Sequence, residues 1–211
     1  MEHPRADINK EVLAWARDAA GYSLEEAARK IGIRTERYTA WEDVEDELLP
    51  TIKQLRKTAQ VFHRPVSVFY LPEPPTTFQA MRDLRRLPGD GIRTFSPALR
   101  YEMELAQQRR ELALELYGEI GEQISELTTS ISLSDDPEEA GHSVREMLRV
   151  TFANQVEWGH QGGLATFHGW RQLLEGIDIL VFQMSRVDWD EVSGFAVAET
   201  RLPVIAVNRR D

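Results

Sequence analysis

The stretch SLEEAARKIGIRTERYTAWE, residues 23–42, decides how the first part of this chain folds. Ser23 followed three residues later by Glu26 forms a capping box, a pattern that marks the start of a helix. Within that helix Ala28 is small enough to let another helix cross closely, and Gly32 supplies the left-handed backbone that ends a helix in a tight turn. The stretch therefore predicts two helices joined by a short turn.

The second helix of this pair follows the turn. We expect Thr35 to cap it and residues 36–43 to form it. Tyr38 and Trp41 are three residues apart, so they share one face of the helix, and we expect that face to lie in a hydrophobic core. The opposite face then presents polar side chains to solvent.

Three more short helices frame this pair. Asn9 is a suitable cap for a first helix that ends at Gly21, and Thr51 is a suitable cap for a fourth. Pro65 opens a short fifth helix. The sequence therefore predicts an all-α domain of five helices over residues 1–72.

The order and spacing of these helices, with LPTIKQLRKTAQVF at residues 49–62, resemble the XRE, or lambda-repressor-like, family of DNA-binding domains. The resemblance implies a helix-turn-helix whose third helix enters the major groove of double-stranded DNA. It implies that these six residues face base edges or phosphates: Ser23, Arg34, Thr35, Glu36, Arg37 and Thr39. A small helical bundle without a nucleic-acid role is the alternative.

The expected contacts follow from the chemistry of the side chains. Arg34 or Arg37 can donate two hydrogen bonds to guanine, and Glu36 can accept one from cytosine. Ser23 lies at the start of the preceding helix, where backbone amides and the helix dipole favour a phosphate. Which side chain reads which base stays open, as does an ordinary solvated role for each of them.

A run of carboxylates, WEDVEDELLP at residues 41–50, overlaps the end of the third helix. Clustered negative charge repels DNA phosphates, so we expect modest affinity unless a homodimer doubles the contacts. Two other interpretations are open. The run is either a solvated loop that faces away from DNA or a surface that receives a basic partner.

Prolines and glycines mark residues 73–96 as a linker, in which we expect a short helix around residues 78–87. Its arginines are either simply solvated, which is favoured, or add contacts to DNA phosphates. From residue 97 to about 127 the apolar pattern predicts one helix of roughly 46 Å, at about 1.5 Å per residue. Its seam recurs at spacings of four and three: Leu99, Met103, Ala106, Arg110, Ala113, Tyr117, Ile120, Ile124 and Leu127. Such a heptad seam is typical of a coiled coil, but Arg110 and Tyr117 weaken it and further leucines widen the apolar face. Packing inside the second domain is therefore favoured, with dimerisation as the alternative.

After this long helix the pattern predicts two further helices and about three strands, an α+β arrangement over residues 97–211. Asp136 is a suitable cap for a helix with Pro137 at its first position. A second helix is expected over residues 163–174, with Gly176 as its C-terminal cap. The strands are expected at residues 177–183, 191–198 and 204–207.

Three segments in order, DDPEEAGHSVREMLRV, GWRQLLEGIDILVFQ and VSGFAVAETRLPVIAVNRRD, resemble the front of an ImmA/IrrE-type metallopeptidase-like domain. In that family a helix with an H-E-x-x-H motif comes next and binds zinc. This chain lacks the motif, so we expect no catalytic residue, metal ligand or cofactor in it, and we expect it to stop ahead of the catalytic helix. Zinc is then an expectation only for a longer gene product.

Composition limits the classes of function. The formal net charge of −10 argues against a general binder of polyanions, and zero cysteines exclude disulfides and thiolate metal sites. No apolar run approaches the roughly 20 residues that a membrane-spanning helix needs. We therefore expect a cytoplasmic protein without membrane association.

These features together predict a sequence-specific, dimeric transcriptional regulator of the XRE class with an ImmA/IrrE-like domain. The second resemblance implies prophage control, stress response or toxin neutralisation, and hence a toxin or regulator protein as partner. One alternative is a zinc metallopeptidase whose active site lies beyond residue 211, so the question of enzyme activity stays open. Another is an antitoxin-like protein that binds a toxin through the acidic second domain.

Overall fold

The computed structural model of the 211-residue chain describes four stretches: residues 4–75, 95–128, 131–132 and 134–209. Within them the fold has eight α-helices, one 3₁₀ helix and a three-stranded sheet, which confirms the predicted α+β class. The chain divides into two compact units, an N-terminal unit Met1–Glu104 and a C-terminal unit Leu105–Asp211. The short helix and the arginines expected at 78–87 lie outside the described residues.

The N-terminal unit is helical. Its elements are α1 (Lys10–Ala19), α2 (Leu24–Ile31), α3 (Thr35–Glu42), α4 (Ile52–Val61) and a 3₁₀ helix (Val66–Tyr70). Three predicted caps are confirmed, because the side chains of Asn9, Ser23 and Thr51 accept hydrogen bonds from the first-turn amides of α1, α2 and α4. Each such cap stabilises its helix by about 1 kcal/mol.

Two local expectations were wrong. Thr35 is the first residue of α3 rather than its cap, and Arg34 takes the cap position with an extended backbone. The turn from α2 uses three residues, so α3 begins one residue earlier than expected and has no side-chain oxygen at its cap, since arginine carries only donors. The segment after Pro65 forms a 3₁₀ helix instead of an α-helix.

The core of the N-terminal unit is built around two residues of α3. Tyr38 and Trp41 are fully buried, as predicted, and their rings meet edge to face with centroids 5.8 Å apart. The Tyr38 ring also meets Phe62, just beyond α4, at 6.4 Å. Burying one such side chain contributes about 1.5 to 3 kcal/mol, so these rings fix which face of α3 points inward.

The helix predicted from residue 97 is α5 (Pro97–Ile120), and its first two turns belong to the N-terminal unit. The Arg64 guanidinium donates to the Glu104 carboxylate at 2.8 Å, and the Arg64 side chain is almost wholly buried. His63 stacks on Tyr101 with ring centroids 3.8 Å apart. The division between the two units falls inside α5, after Glu104.

The end of α5 also differs from the expectation. The helix stops at Ile120, and Gly121 follows with a φ of 73°, so the predicted extension to residue 127 was wrong. A glycine in this left-handed conformation ends a helix at little steric cost. Early positions of the predicted seam are buried within the protein, and Arg110 donates to the Leu202 carbonyl at 3.0 Å.

The C-terminal unit continues with three helices and the sheet: α6 (Pro137–Met147), α7 (Phe152–Gln161), α8 (Gly163–Glu175), β1 (Leu180–Met184), β2 (Gly194–Val197) and β3 (Val204–Asn208). The sequence predicted α6, α8 and the strands but missed α7. The predicted cap at Asp136 is confirmed, and an unrecognised capping box joins Thr151 to Asn154 at the start of α7.

The sheet has the order β1-β3-β2, with β1 parallel and β2 antiparallel to the central strand. Val204 and Ala206 of β3 are buried and alternate with half-buried neighbours, which is the period expected of a sheet with one covered face. Gly194 lies so close to β3 that an added Cβ would be only 2.6 Å from the Ala206 carbonyl oxygen. Mixed pairing of this kind fits an α+β unit.

None of the described helices combines the length and the apolar character that crossing a bilayer requires.

Candidate nucleic-acid interface

The outward side of α3 carries most of the residues expected to contact DNA. Arg34, Glu36, Arg37 and Thr39 are exposed, and we call these four the α3 outer face. Thr35 is half-buried, and its carbonyl accepts a hydrogen bond from the Thr39 hydroxyl at 3.0 Å. The structure thus brings five of the six expected residues together, four on this short helix and Arg34 at its N-cap.

Two contacts hold α3 from its inner side. Its aromatic residues are buried, and the Glu42 carboxylate in its last turn accepts hydrogen bonds from Arg17 of α1, the shortest at 2.8 Å from Nε and 2.9 Å from a terminal nitrogen. The two side chains are only 13% and 10% exposed. Because this bidentate pair is shielded from solvent, it fixes the rotation of α3 more firmly than a surface ion pair does.

Lys10 anchors the C-terminal end of α3. Its ammonium group donates to the carbonyls of Ala40 at 3.0 Å and Asp43 at 2.8 Å, and also to the Asp46 carbonyl. A cation at this position satisfies carbonyls that the helix leaves unpaired and complements the helix dipole. Sequence reasoning missed both Lys10 and Arg17, although they lie seven residues apart and so share one face of α1.

The turn between α2 and α3 has the predicted geometry at Gly32. This glycine has a φ of 87°, and its amide donates to the Ala28 carbonyl at 2.8 Å. The amide of Ile33 donates to the same carbonyl at 3.0 Å. Replacing Gly32 with any other residue would destabilise this left-handed turn by about 1 kcal/mol or more. The glycine therefore helps to set the direction in which α3 leaves α2.

The N-terminal end of α3 differs from that of α2 in its capping. Within the described part of the chain, no side chain caps α3 at Arg34. The first-turn amides of a helix carry a partial positive charge when they lack an internal partner. This end of α3 therefore combines helix-dipole charge with the guanidinium groups of Arg34 and Arg37, against one carboxylate at Glu36.

Ser23 is placed less favourably for a phosphate than the resemblance implies. Its amide donates to the Glu26 carboxylate at 3.0 Å, and its hydroxyl accepts from the Glu26 amide at 3.2 Å. Backbone hydrogen bonding at Glu25, helped by the Ser23 hydroxyl, holds the pKa of the Glu25 carboxyl below its usual value. Two carboxylates thus already lie at the start of α2, where a phosphate would have to replace them.

The acidic run lies at the opposite end of α3 from the two arginines. Its exposed carboxylates are Asp43, Glu45, Asp46 and Glu47. At about 1.5 Å per residue, roughly 13 Å of helix separates Arg34 from Asp43, somewhat more than the screening length of about 10 Å at 0.1 M salt. Screening therefore weakens, but does not remove, the repulsion between this run and a polyanion at the N-terminal end.

The C-terminal unit is the candidate location of a metal site, because the resemblance implies one in a longer gene product. Among the residues that the structure describes, no three His, Asp or Glu side chains come close enough to hold a metal ion. His142 pairs with Glu146 at 3.2 Å on the exposed surface of α6. Comparison with family models, with curated proteins and with solved structures finds no match to this chain.

Proposed function

We propose that the N-terminal unit is a helix-turn-helix domain of the XRE type and that the protein is a sequence-specific DNA-binding regulator. One observation supports this most directly. The inner face of α3 is fixed by buried aromatic rings, while its outer face presents Arg34, Glu36, Arg37 and Thr39 to solvent. A short helix held in this way can enter a groove without disturbing the core.

The dimensions and the chemistry are compatible with major-groove binding. An α-helix with its side chains is about 10 to 12 Å across, close to the width of about 12 Å of the B-DNA major groove. Arg37 on the exposed surface can donate two hydrogen bonds to guanine, and Glu36 can accept one from cytosine. Arg34, beside the uncapped start of α3, is placed to bind a backbone phosphate.

Charge limits the expected affinity of one copy. Residues 1–104 carry 16 Lys or Arg against 17 Asp or Glu, so the unit has no excess of positive charge. Non-specific binding depends on such an excess, whereas base contacts do not. We therefore propose a homodimer that places two copies of α3 on paired half-sites, with weak binding to random duplex.

A selection experiment tests the proposal. The full chain is incubated with a library of randomised duplexes at several salt concentrations, and the bound fraction is sequenced over successive rounds. An enriched motif, with an affinity that falls as salt rises, supports sequence-specific binding. If no motif is enriched at any salt concentration, the regulator proposal is wrong and the helical bundle without a nucleic-acid role takes its place.

A further inference from the structure

The second half of α5 carries a row of apolar side chains that the fold leaves uncovered. Leu112, Leu116 and Ile120 are 56%, 51% and 67% exposed. They lie in the sequence ELALELYGEI at residues 111–120, within the C-terminal unit. We call these three residues the α5 stripe.

The spacing places the stripe on one face of the helix. Residues four apart are rotated by about 40°, so three of them span roughly 80° of the helix surface. Ala113 and Tyr117, on the adjoining side, are half-buried, which shows that α5 packs on the protein beside the stripe rather than through it. Single exposed leucines are common, but a continuous row along two turns indicates a contact surface.

A row of carboxylates runs beside the stripe. Glu111, Glu115 and Glu119 each precede one of its apolar residues, and all three are exposed. Residues 111–123 contain neither lysine nor arginine, so nothing on this part of the helix neutralises them. The surface is therefore apolar along its centre and negative along one edge.

The charge of this surface selects among possible occupants. Residues 105–211 hold 9 arginines, no lysine and 18 Asp or Glu, a net charge of −9. DNA and anionic membranes are repelled by such a surface. A second copy paired through the same stripe adds no positive charge to balance the row of glutamates, and an antiparallel pair brings the two rows together. A cationic partner gains from both the apolar and the charged parts.

We infer that the α5 stripe is a docking surface for a protein partner that presents a cationic amphipathic helix. In this mode an apolar face of the partner lies along Leu112, Leu116 and Ile120 while its lysine or arginine side chains reach the adjacent glutamates. The inference is separate from DNA binding, because it concerns another unit and the opposite sign of charge.

A designed peptide tests the inference with the full chain. The probe is an amidated helix of about 18 residues, or five turns, with leucine on one face and lysine elsewhere. Two controls have the same length: a scrambled peptide of identical composition and a peptide with glutamate in place of lysine. We expect saturable binding of the amphipathic cationic peptide, at least tenfold tighter than either control, with an affinity that falls as salt rises.

Surface variants locate the binding site. Leu116→Gln and the double change Glu115→Gln/Glu119→Gln alter exposed side chains, and each is expected to weaken binding about tenfold. Phe152→Gln on α7 and Leu164→Gln on α8 are matched controls, since these side chains are 80% and 67% exposed outside the stripe. The controls are expected to bind within about twofold of the wild type.

Three results overturn the inference. The first is equal binding of the amphipathic and scrambled peptides, and the second is equal loss in the stripe variants and the controls. The third is a doubled mass in sedimentation that Leu116→Gln returns to the monomer value, because the stripe is then covered by a second copy. Circular dichroism of each variant distinguishes loss of binding from loss of structure.

Discussion

Arg17 in α1 binds both carboxylate oxygens of Glu42 in the last turn of α3, at 2.8 Å and 2.9 Å. The two residues are 25 positions apart in sequence, and their side chains are nearly buried. Since the same guanidinium also donates to the Tyr22 carbonyl at 2.9 Å, one side chain ties α1, the start of α2 and α3 together. The orientation of the α3 outer face depends on this arrangement.

Glu42→Gln is expected to lower the free energy of unfolding by about 2 kcal/mol, because a largely buried guanidinium then keeps only the exposed Asp18 carboxylate as its counter-charge. Urea denaturation followed by circular dichroism, with hydrogen exchange of the α1 and α3 amides, measures the effect. Glu175→Gln is the matched control, since its pair with Arg171 at 2.8 Å has 42% and 36% of the side chains exposed. A loss at Glu42 no greater than at Glu175 contradicts this account.

Ser23→Ala should raise the pKa of Glu25 toward the ordinary value of a glutamate, since the Ser23 hydroxyl is, after the backbone hydrogen bond at Glu25, the next largest of the three contributions that lower it. The folded-state pKa is depressed, so this contact stabilises the fold above the unfolded pKa of 4.5 and is lost as the pH falls through the folded value. Titration of the Glu25 carboxyl by NMR reports the change. An identical titration curve in the variant removes Ser23 from the explanation.

Two helical glycines should respond in opposite directions to the same change. A Cβ at Gly169 would lie 2.6 Å from the Trp158 ring, so Gly169→Ala is expected to destabilise the C-terminal unit by about 1 to 3 kcal/mol. At Gly159 nothing lies within 4 Å, and Gly159→Ala should stabilise α7 by about 0.5 to 1 kcal/mol. Thermal unfolding of both variants measures the change in melting temperature. Changes of the same sign would contradict the packing of α7 on α8.

Removing charge from the acidic run should strengthen DNA binding in a salt-dependent way. Glu45 and Glu47 are exposed, so Glu45→Gln/Glu47→Gln is not expected to disturb the fold. We expect the affinity for the DNA motif found by library selection to rise about two- to threefold at 0.05 M salt. The gain should disappear near 0.3 M, because the screening length shortens as salt rises. Fluorescence anisotropy on a labelled duplex measures this. An unchanged affinity at low salt means that the run faces away from the DNA.

Local features of this fold could be read from the sequence because they involve neighbours along the chain. The caps at Asn9, Ser23, Thr51 and Asp136 were predicted, since a cap and its amides lie within three residues of each other. The missed helix α7 has the same kind of signal at Thr151, but the glycines near its end favoured a loop.

Contacts between distant residues could not be predicted in this way. No spacing rule joins Arg17 to Glu42, or Lys10 to the carbonyls at the end of α3, because both contacts depend on how α1 packs against α3. The exposure of Leu112 and Leu116 could likewise not be predicted. A leucine-rich helix has the same sequence pattern whether the rest of the protein covers one of its faces or two. The inner face of α3 was predictable because its two aromatic residues leave few alternatives.

The base preference of Arg37→Ala tests the central claim, that α3 reads DNA, most directly. Library selection is repeated with this variant and with Arg56→Ala, which removes an exposed arginine from α4. The account predicts that Arg37→Ala loses about 1 to 3 kcal/mol on the wild-type motif and relaxes the preference at one guanine, while Arg56→Ala keeps the motif. A motif unchanged by both variants, or lost equally in both, would contradict base reading by α3.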